Sequence, residues 1–227
     1  MSNLVQIRRT PVYALGFIAS LAIGIAAACT AFAVVKRAFI DPLPYPESDR
    51  LLTIRTVTDG RASLGSSFQF GEALKGAAVF GDIAADWGAT VTYEAPGRSE
   101  RVSGGAVTPN YFDVLGIRPA LGTTLTAGAQ DEVVVSWAFF ERALSGDPAA
   151  LGKPIALDGI MRRDVGAMPN HFVAPYLTEA RLWIPLDTAR FMPESARGSR
   201  GVILQTRLAD GASLADAKTY LDVFAAQ

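Results

Sequence analysis

The chain has one cysteine and one histidine in 227 residues. A lone cysteine excludes an intrachain disulfide. Cys29 lies inside an apolar run and His171 in the polar context Met168-Pro169-Asn170-His171-Phe172. One of each excludes a thiol–imidazole dyad in water and a His/Cys metal site. The carboxylates are scattered, and none are paired at a spacing suited to acid–base chemistry. Gly104-Gly105 and the stretch Gly71 to Gly81 lack the lysine and the strand–loop–helix setting of a phosphate loop. No internal repeat or low-complexity tract is present. The residues therefore predict no enzyme, no cofactor and no metal.

Charge is also missing from one stretch. Residues 12–35, VYALGFIASLAIGIAAACTAFAVV, carry none. As a helix they would be roughly 36 Å long, enough for a hydrocarbon core of about 30 Å. Arg8 and Arg9 precede the run, and Lys36 and Arg37 follow it. These four are the only charged residues before position 41, which leaves 17 basic against 22 acidic residues beyond it, a formal charge of −5. A mildly acidic domain without a basic cluster argues against nucleic acid as a partner.

Gly16, Ser20, Gly24 and Ala28 recur every four residues and so share one helix face. Small stripes of this kind let helix backbones approach closely in lipid. These four are the candidate helix-packing residues. Two readings compete with an uncleaved anchor. Ala31-Phe32-Ala33 has the form of a signal-peptide cleavage site. Ala26-Ala27-Ala28 before Cys29 resembles a lipoprotein signal, with alanine where a larger aliphatic residue is usual. The apolar run exceeds an ordinary signal core of about 7–15 residues, which favours the anchor.

Residues 41–50, DPLPYPESDR, predict an extended connector. Leu51 to Val57 reads as a strand. Asp59-Gly60 signals a turn. Ser66 or Ser67 caps a helix through about Ala78. Residues 82–95 and 100–107 form a hairpin about Ala95-Pro96-Gly97-Arg98. Thr108 caps a helix with Pro109 at its first position and Gly116 as its stop. Glu132 to Val135 is a buried strand, followed by a helix capped by Ser136. Asp158-Gly159 turns a second hairpin. Leu182 to Leu186 contains Pro185, which predicts an edge strand. Residues 193–200 read as a polar linker. Val202 to Leu208 is a last strand, and Ser213 with Asp216 opens a final helix presenting Leu214, Ala217, Leu221 and Phe224 on one face. The fold class is α+β, mixed and largely antiparallel.

Several segments in series resemble MacB-like ABC transporter permeases. They are Leu21 to Ile25, Pro42-Leu43-Pro44-Tyr45-Pro46 with Asp49-Arg50-Leu51, Glu100 to Gly104, Asn110 to Gly116 and Arg118 to Gly122. Gly146 to Ala149, Leu151-Gly152, Leu157-Asp158-Gly159 and Val165 to Pro169 continue the series. The resemblance implies a cytoplasmic N-terminus at 1–11, a transmembrane helix at 12–35 and a proline-rich connector at 36–50. Residues 51–227 would then form a MacB-like periplasmic core domain. Its porter-like part would span about 51–119 and 200–227, with an inserted second subdomain at about 120–190. The implied protein is a single-pass component of the plasma (inner) membrane, its C-terminal domain extracytoplasmic and non-catalytic. It would transmit ATP-driven motion in export, efflux or lipoprotein release. Implied partners are the remaining permease transmembrane helices or a second permease copy, a separate cytoplasmic ATPase and a periplasmic adaptor. Family permeases continue into an FtsX-like transmembrane domain, so a truncated or split permease is expected. The alternative is a signal-peptide-cleaved periplasmic binding or scaffold module without a transport role.

Overall fold

The computed structural model describes residues 11–35, 45–58, 61–62, 65–187 and 201–225. It divides into two units, Met1–Leu43 and Pro44–Gln227.

The first unit contains helix α1, Pro11–Val35. Its side chains are described over 16–32, a stretch shorter than the roughly 20 residues that a membrane span takes. Among the described residues, no helix is long and apolar enough to cross a membrane. The described α1 side chains are exposed, Phe17, Ile18 and Ile23 at 62–71%.

The second unit is built on one mixed sheet. Its strands are β1 (Leu51–Ile54), β4 (Phe80–Ala95), β5 (Arg98–Val107), β6 (Leu121–Gly122), β7 (Glu132–Val135), β8 (Pro154–Leu157), β9 (Ile160–Ala167), β10 (Leu182–Pro185) and β11 (Ile203–Leu208). A separate ribbon pairs β2 (Val57–Thr58) with β3 (Arg61–Ala62). The main path runs β1-β11-β4-β5-β10-β7-β9-β6, and β8 joins both β4 and β9. The pairing therefore closes a ring: β4, β5, β10, β7, β9, β8 and back to β4. Among the described strands, only β5·β10 and β7·β9 pair in parallel.

The β4–β5 hairpin is the spine. Ten residue pairs run from Asp86↔Val107 to Ala95↔Arg98 about the Pro96-Gly97 turn. Gly97 has φ 72°, which a glycine adopts at little cost. Along β4, Ile83 and Ala85 face one apolar cluster while Ala84 faces another, as the period of two requires. Helices α2 (Phe68–Ala73) and α5 (Leu214–Phe224) pack residues onto the cluster of Ile83, Leu204 and Leu208. Helix α3 (Tyr111–Leu115) belongs to the opposite cluster with Trp183. Inside the ring lie Val91, Tyr93, Val102, Val133 and Leu182, joined by Phe139 and Phe140 of α4 (Trp137–Ala143).

Local signals act as their chemistry predicts at most ends. The Ser67 hydroxyl accepts from the Phe70 N–H, and that of Ser136 from Phe139. Ser213 and Asp216 form a reciprocal capping box. Asp158 and Gly159 have φ 52° and 72°, the left-handed pair of a tight hairpin.

Five expectations are corrected. Pro185 is not on an edge strand: β10 lies between β5 and β7. The proline is its last residue, past the two that pair with β7, so its missing N–H costs no bond there. Thr108 does not cap α3; its hydroxyl accepts from Ala85 N on β4 at 3.0 Å, and Asn110 takes the cap position. Helix α2 ends at Ala73, five residues before Ala78. Leu214 is 64% exposed, while Ala217 of the same helix is buried. The connector is not extended from residue 45 onward: Tyr45 is buried and Ser48–Arg50 form a 3-10 turn. The turn at 59–60 and the linker at 193–200 lie outside the described residues.

Among the described residues three carboxylates are buried on the sheet strands, Asp86, Glu132 and Asp164. Asp86 lies between β5 and β11, and its Oδ2 accepts from Gln205 Nε2 at 2.7 Å. Burial pushes its pKa up to about 7, against the opposing pull of that hydrogen bond. Burial also takes Asp164 to about 7, against the backbone bond from Gly166. Raised folded-state values mean that the folded domain holds these protons longer than the unfolded chain. The stabilising contribution is complete below about pH 4 and is lost as pH rises to about 7. Urea denaturation from pH 5 to 8 should show stability falling toward pH 7 and then levelling. Asp86→Asn and Asp164→Asn should each flatten the slope by about 1 kcal/mol per pH unit. An unchanged slope in the double variant would contradict the burial effect.

Candidate functional site

The chain enters the folded domain at a clamp of two arginines. Tyr45 is the first described residue of this unit, and its hydroxyl donates to the carbonyl of Val173. Burial raises its pKa. Glu47 follows with φ 48°, a left-handed conformation that costs an ordinary residue roughly 1 kcal/mol or more. Such a residue persists where its surroundings hold it.

Here they do. Arg50 N–H donates to the Glu47 carbonyl at 3.0 Å, and Arg50 Nη1 reaches the Glu47 carboxylate at 3.0 Å. Arg50 Nη2 donates to Asp210 at 2.6 Å and to the Leu208 carbonyl at 2.7 Å. The hydrogen bond to Asp210 chiefly raises the guanidinium's pKa. Arg207 completes the clamp from β11. Its Nε donates to Val114 O at 2.7 Å, Nη2 to Leu115 O at 2.9 Å and Nη1 to Glu47 O at 3.0 Å. Val114 and Leu115 end α3, where carbonyls lack helical partners and attract a cation. One side chain thus ties the entering segment, the end of α3 and the last strand together.

Gly116 makes room for it. Its φ of 71° serves the helix stop, with Ile117 N donating to Phe112 O and Gly116 N to Asp113 O. A Cβ there would also lie 2.9 Å from Arg207 Nη2. The sequence marked Gly116 as a helix end but carried no sign of its second role. Glu47 and Arg207 were missed entirely; a single arginine in a strand has no local signature.

The clamp holds and orients backbone. It presents no nucleophile, and among the described residues no group of three His, Cys, Asp or Glu could hold a metal ion. His171 is exposed in a loop, and Cys29 is exposed and free. The four stripe residues Gly16, Ser20, Gly24 and Ala28 all lie on the exposed surface of α1. Nothing lies within 4 Å of where a Cβ would stand at Gly16 or Gly24.

This arrangement has the fold of solved permease domains. The periplasmic region of MacB from Actinobacillus actinomycetemcomitans is similar at TM-score 0.59 and 16% identity, covering 76% of this chain and 80% of that one. A domain described as a permease protein's, from Porphyromonas gingivalis, is similar at 0.60 and 18%, covering 79% and 84%. The extracellular domain of the ABC-type transporter YknZ from Gram-positive bacteria gives 0.53 and 15%, covering 74% and 87%. The fold is thus shared with these three domains. The chain belongs to the MacB-like periplasmic core domain family, which matches residues 14–222. No curated protein matches it.

Arg207→Met should lower stability by about 2–4 kcal/mol, because it orphans helix-end carbonyls. Gly116→Ala should cost about 1–2 kcal/mol from its conformation alone. Urea titration of both variants checks this. If Arg207→Met melts like the parent, the clamp carries no load.

Proposed function

We propose that this chain is a non-catalytic membrane component of an ABC-type export, efflux or lipoprotein-release permease. Helix α1 anchors it by a single pass in the inner membrane, and the domain stands outside. ATP hydrolysed by a separate cytoplasmic protein moves the membrane helices, and the domain transmits that motion. Its partners are further permease helices or a second permease copy, with a periplasmic adaptor. The observation that carries this reading is the extent of the family match: it starts at residue 14, inside α1, and runs to 222. The apolar helix and the domain are matched as one unit.

The clamp gives the reading a physical route. Motion arriving along the chain meets the folded domain at Tyr45 and Glu47. From there Arg207 couples it to α3 and β11. The division into a porter-like part, 51–119 with 200–227, and an inserted part, 120–190, is part of the same proposal. Strands β1, β11, β4 and β5 lie together on one side of the sheet path and β10, β7, β9 and β6 on the other, which supports it.

The chain should resist alkaline extraction from membranes and keep its own N-terminus. A mature N-terminus at Val34 would instead favour a cleaved periplasmic module. In the stripe, Gly24→Leu should leave membrane insertion intact and reduce co-purification of partner permease helices about fivefold or more. Unchanged co-purification would make the stripe incidental.

A further inference from the structure

The ring of strands has an opening beside β5. Strand β10 pairs with β5 only over Gly104–Val107, whereas β4 pairs with β5 from Arg98 onward. The outer edge of residues 98–102 is therefore free of ladder partners among the described residues. Ser103 O points outward, accepting from Arg181 N at 2.8 Å, and Val107 O accepts from Leu186 N at 2.8 Å. By the alternation of an antiparallel ladder, Ser99 and Arg101 also turn their N–H and C=O groups outward. Val102 points into the ring core, which leaves the Ser99, Arg101 and Ser103 side chains on the outer face, where all three are exposed.

A groove of about 340 Å³ runs along this edge, walled by Arg142 of α4 and by Glu179 and Arg181 of the loop before β10. Its charge is unusual for the domain. Arg142 bonds both oxygens of Glu100, Nη1 to Oε2 at 3.0 Å, and Arg98 also pairs with that carboxylate. These hydrogen bonds, Arg142's first, take Glu100 down to about 2, so it stays ionised and neutralised. Arg101 and Arg181 have no acidic partner among the described residues. Three guanidiniums line the groove, of Arg101, Arg142 and Arg181, with two carboxylates, of Glu100 and Glu179; Arg98 reaches it only through Glu100. The domain as a whole is acidic.

The loop that forms the wall is held firmly. Gly88 and Gly105 face each other across β4 and β5, and a Cβ on Gly105 would lie 2.5 Å from Leu177 Cδ1. The loop's Leu177 thus packs into a space that only glycine leaves open. Tyr176, at φ 59°, is fixed by a 2.8 Å hydrogen bond from Arg55.

We infer that this groove receives an extended, acidic segment of a partner protein, which adds as a strand to the free edge of β5. Five residues of such a strand span roughly 16 Å, the length of the 98–102 edge. Its backbone pairs with Ser99 and Arg101, and its acidic side chains meet Arg101 and Arg181. Charged side chains on an edge also discourage unselective pairing, so the groove admits one sign of charge and rejects the other.

The test uses the full chain in detergent and two capped six-residue peptides, one of alternating valine and aspartate, one with lysine for aspartate. The aspartate peptide should slow deuterium uptake in residues 97–103 and bind more weakly as salt increases. The double variant Arg101→Glu, Arg181→Glu should weaken binding about tenfold or more. Ser99→Pro should weaken it similarly, because it removes an outward N–H while leaving pairing to β4 intact. Unchanged far-ultraviolet circular dichroism and melting would show that both variants fold. Equal binding of the lysine peptide, or full binding by the charge-reversed variant, would overturn the proposal. So would peptide-free protection of 97–103 that rises with protein concentration, since a second copy would then fill the groove.

Discussion

Strand β4 is the constraint on which the domain depends. It is 16 residues long and pairs with β11, β5 and β8. Its N-terminal half lies in the sheet shared with β1 and β11, and its C-terminal half helps close the ring. Both faces are covered where apolar residues alternate between clusters, so Ile83 to Asp86 form an unbroken buried run. A slip of one residue would exchange the two clusters and turn every contact inside out. The Pro96-Gly97 turn and the long register with β5 prevent it.

The clamp acts on the same frame from one end. Arg207 belongs to β11, the neighbour of β4, and its guanidinium spans three carbonyls from two other segments. A hydrogen-bonded guanidinium is directional as well as charged, so it fixes orientation where an apolar contact would let segments slide. The left-handed Glu47 beside it is the strained residue that this network holds. The segment entering at residue 45 is therefore joined to the domain at a stiff junction rather than a swivel.

Much of the fold was legible in short-range signals. Ser67, Ser136 and Ser213 cap the helices predicted, and both hairpin turns fall at Pro96-Gly97 and Asp158-Gly159. These features depend on a few adjacent residues, so local chemistry suffices. The series of family motifs carried the family itself. The misreadings share one cause. Pro185 was placed on an edge because proline lacks a donor, but only the ladder shows that its donor was not needed. Thr108 has the residue type and spacing of a cap, yet a strand 23 residues away claims its hydroxyl.

By itself the sequence determined the apolar helix, the acidic domain, the α+β class and most helix and hairpin ends, because each follows from composition or from neighbours along the chain. Tertiary structure alone decided the central position of β10, the closing of the ring by β8 and the raised carboxyl pKa values of Asp86 and Asp164. It also decided the clamp. Glu47 and Arg207 are 160 residues apart, and no local pattern says which carbonyls a guanidinium will meet. Only folding brings the ends of the domain together and makes one arginine the joint between them.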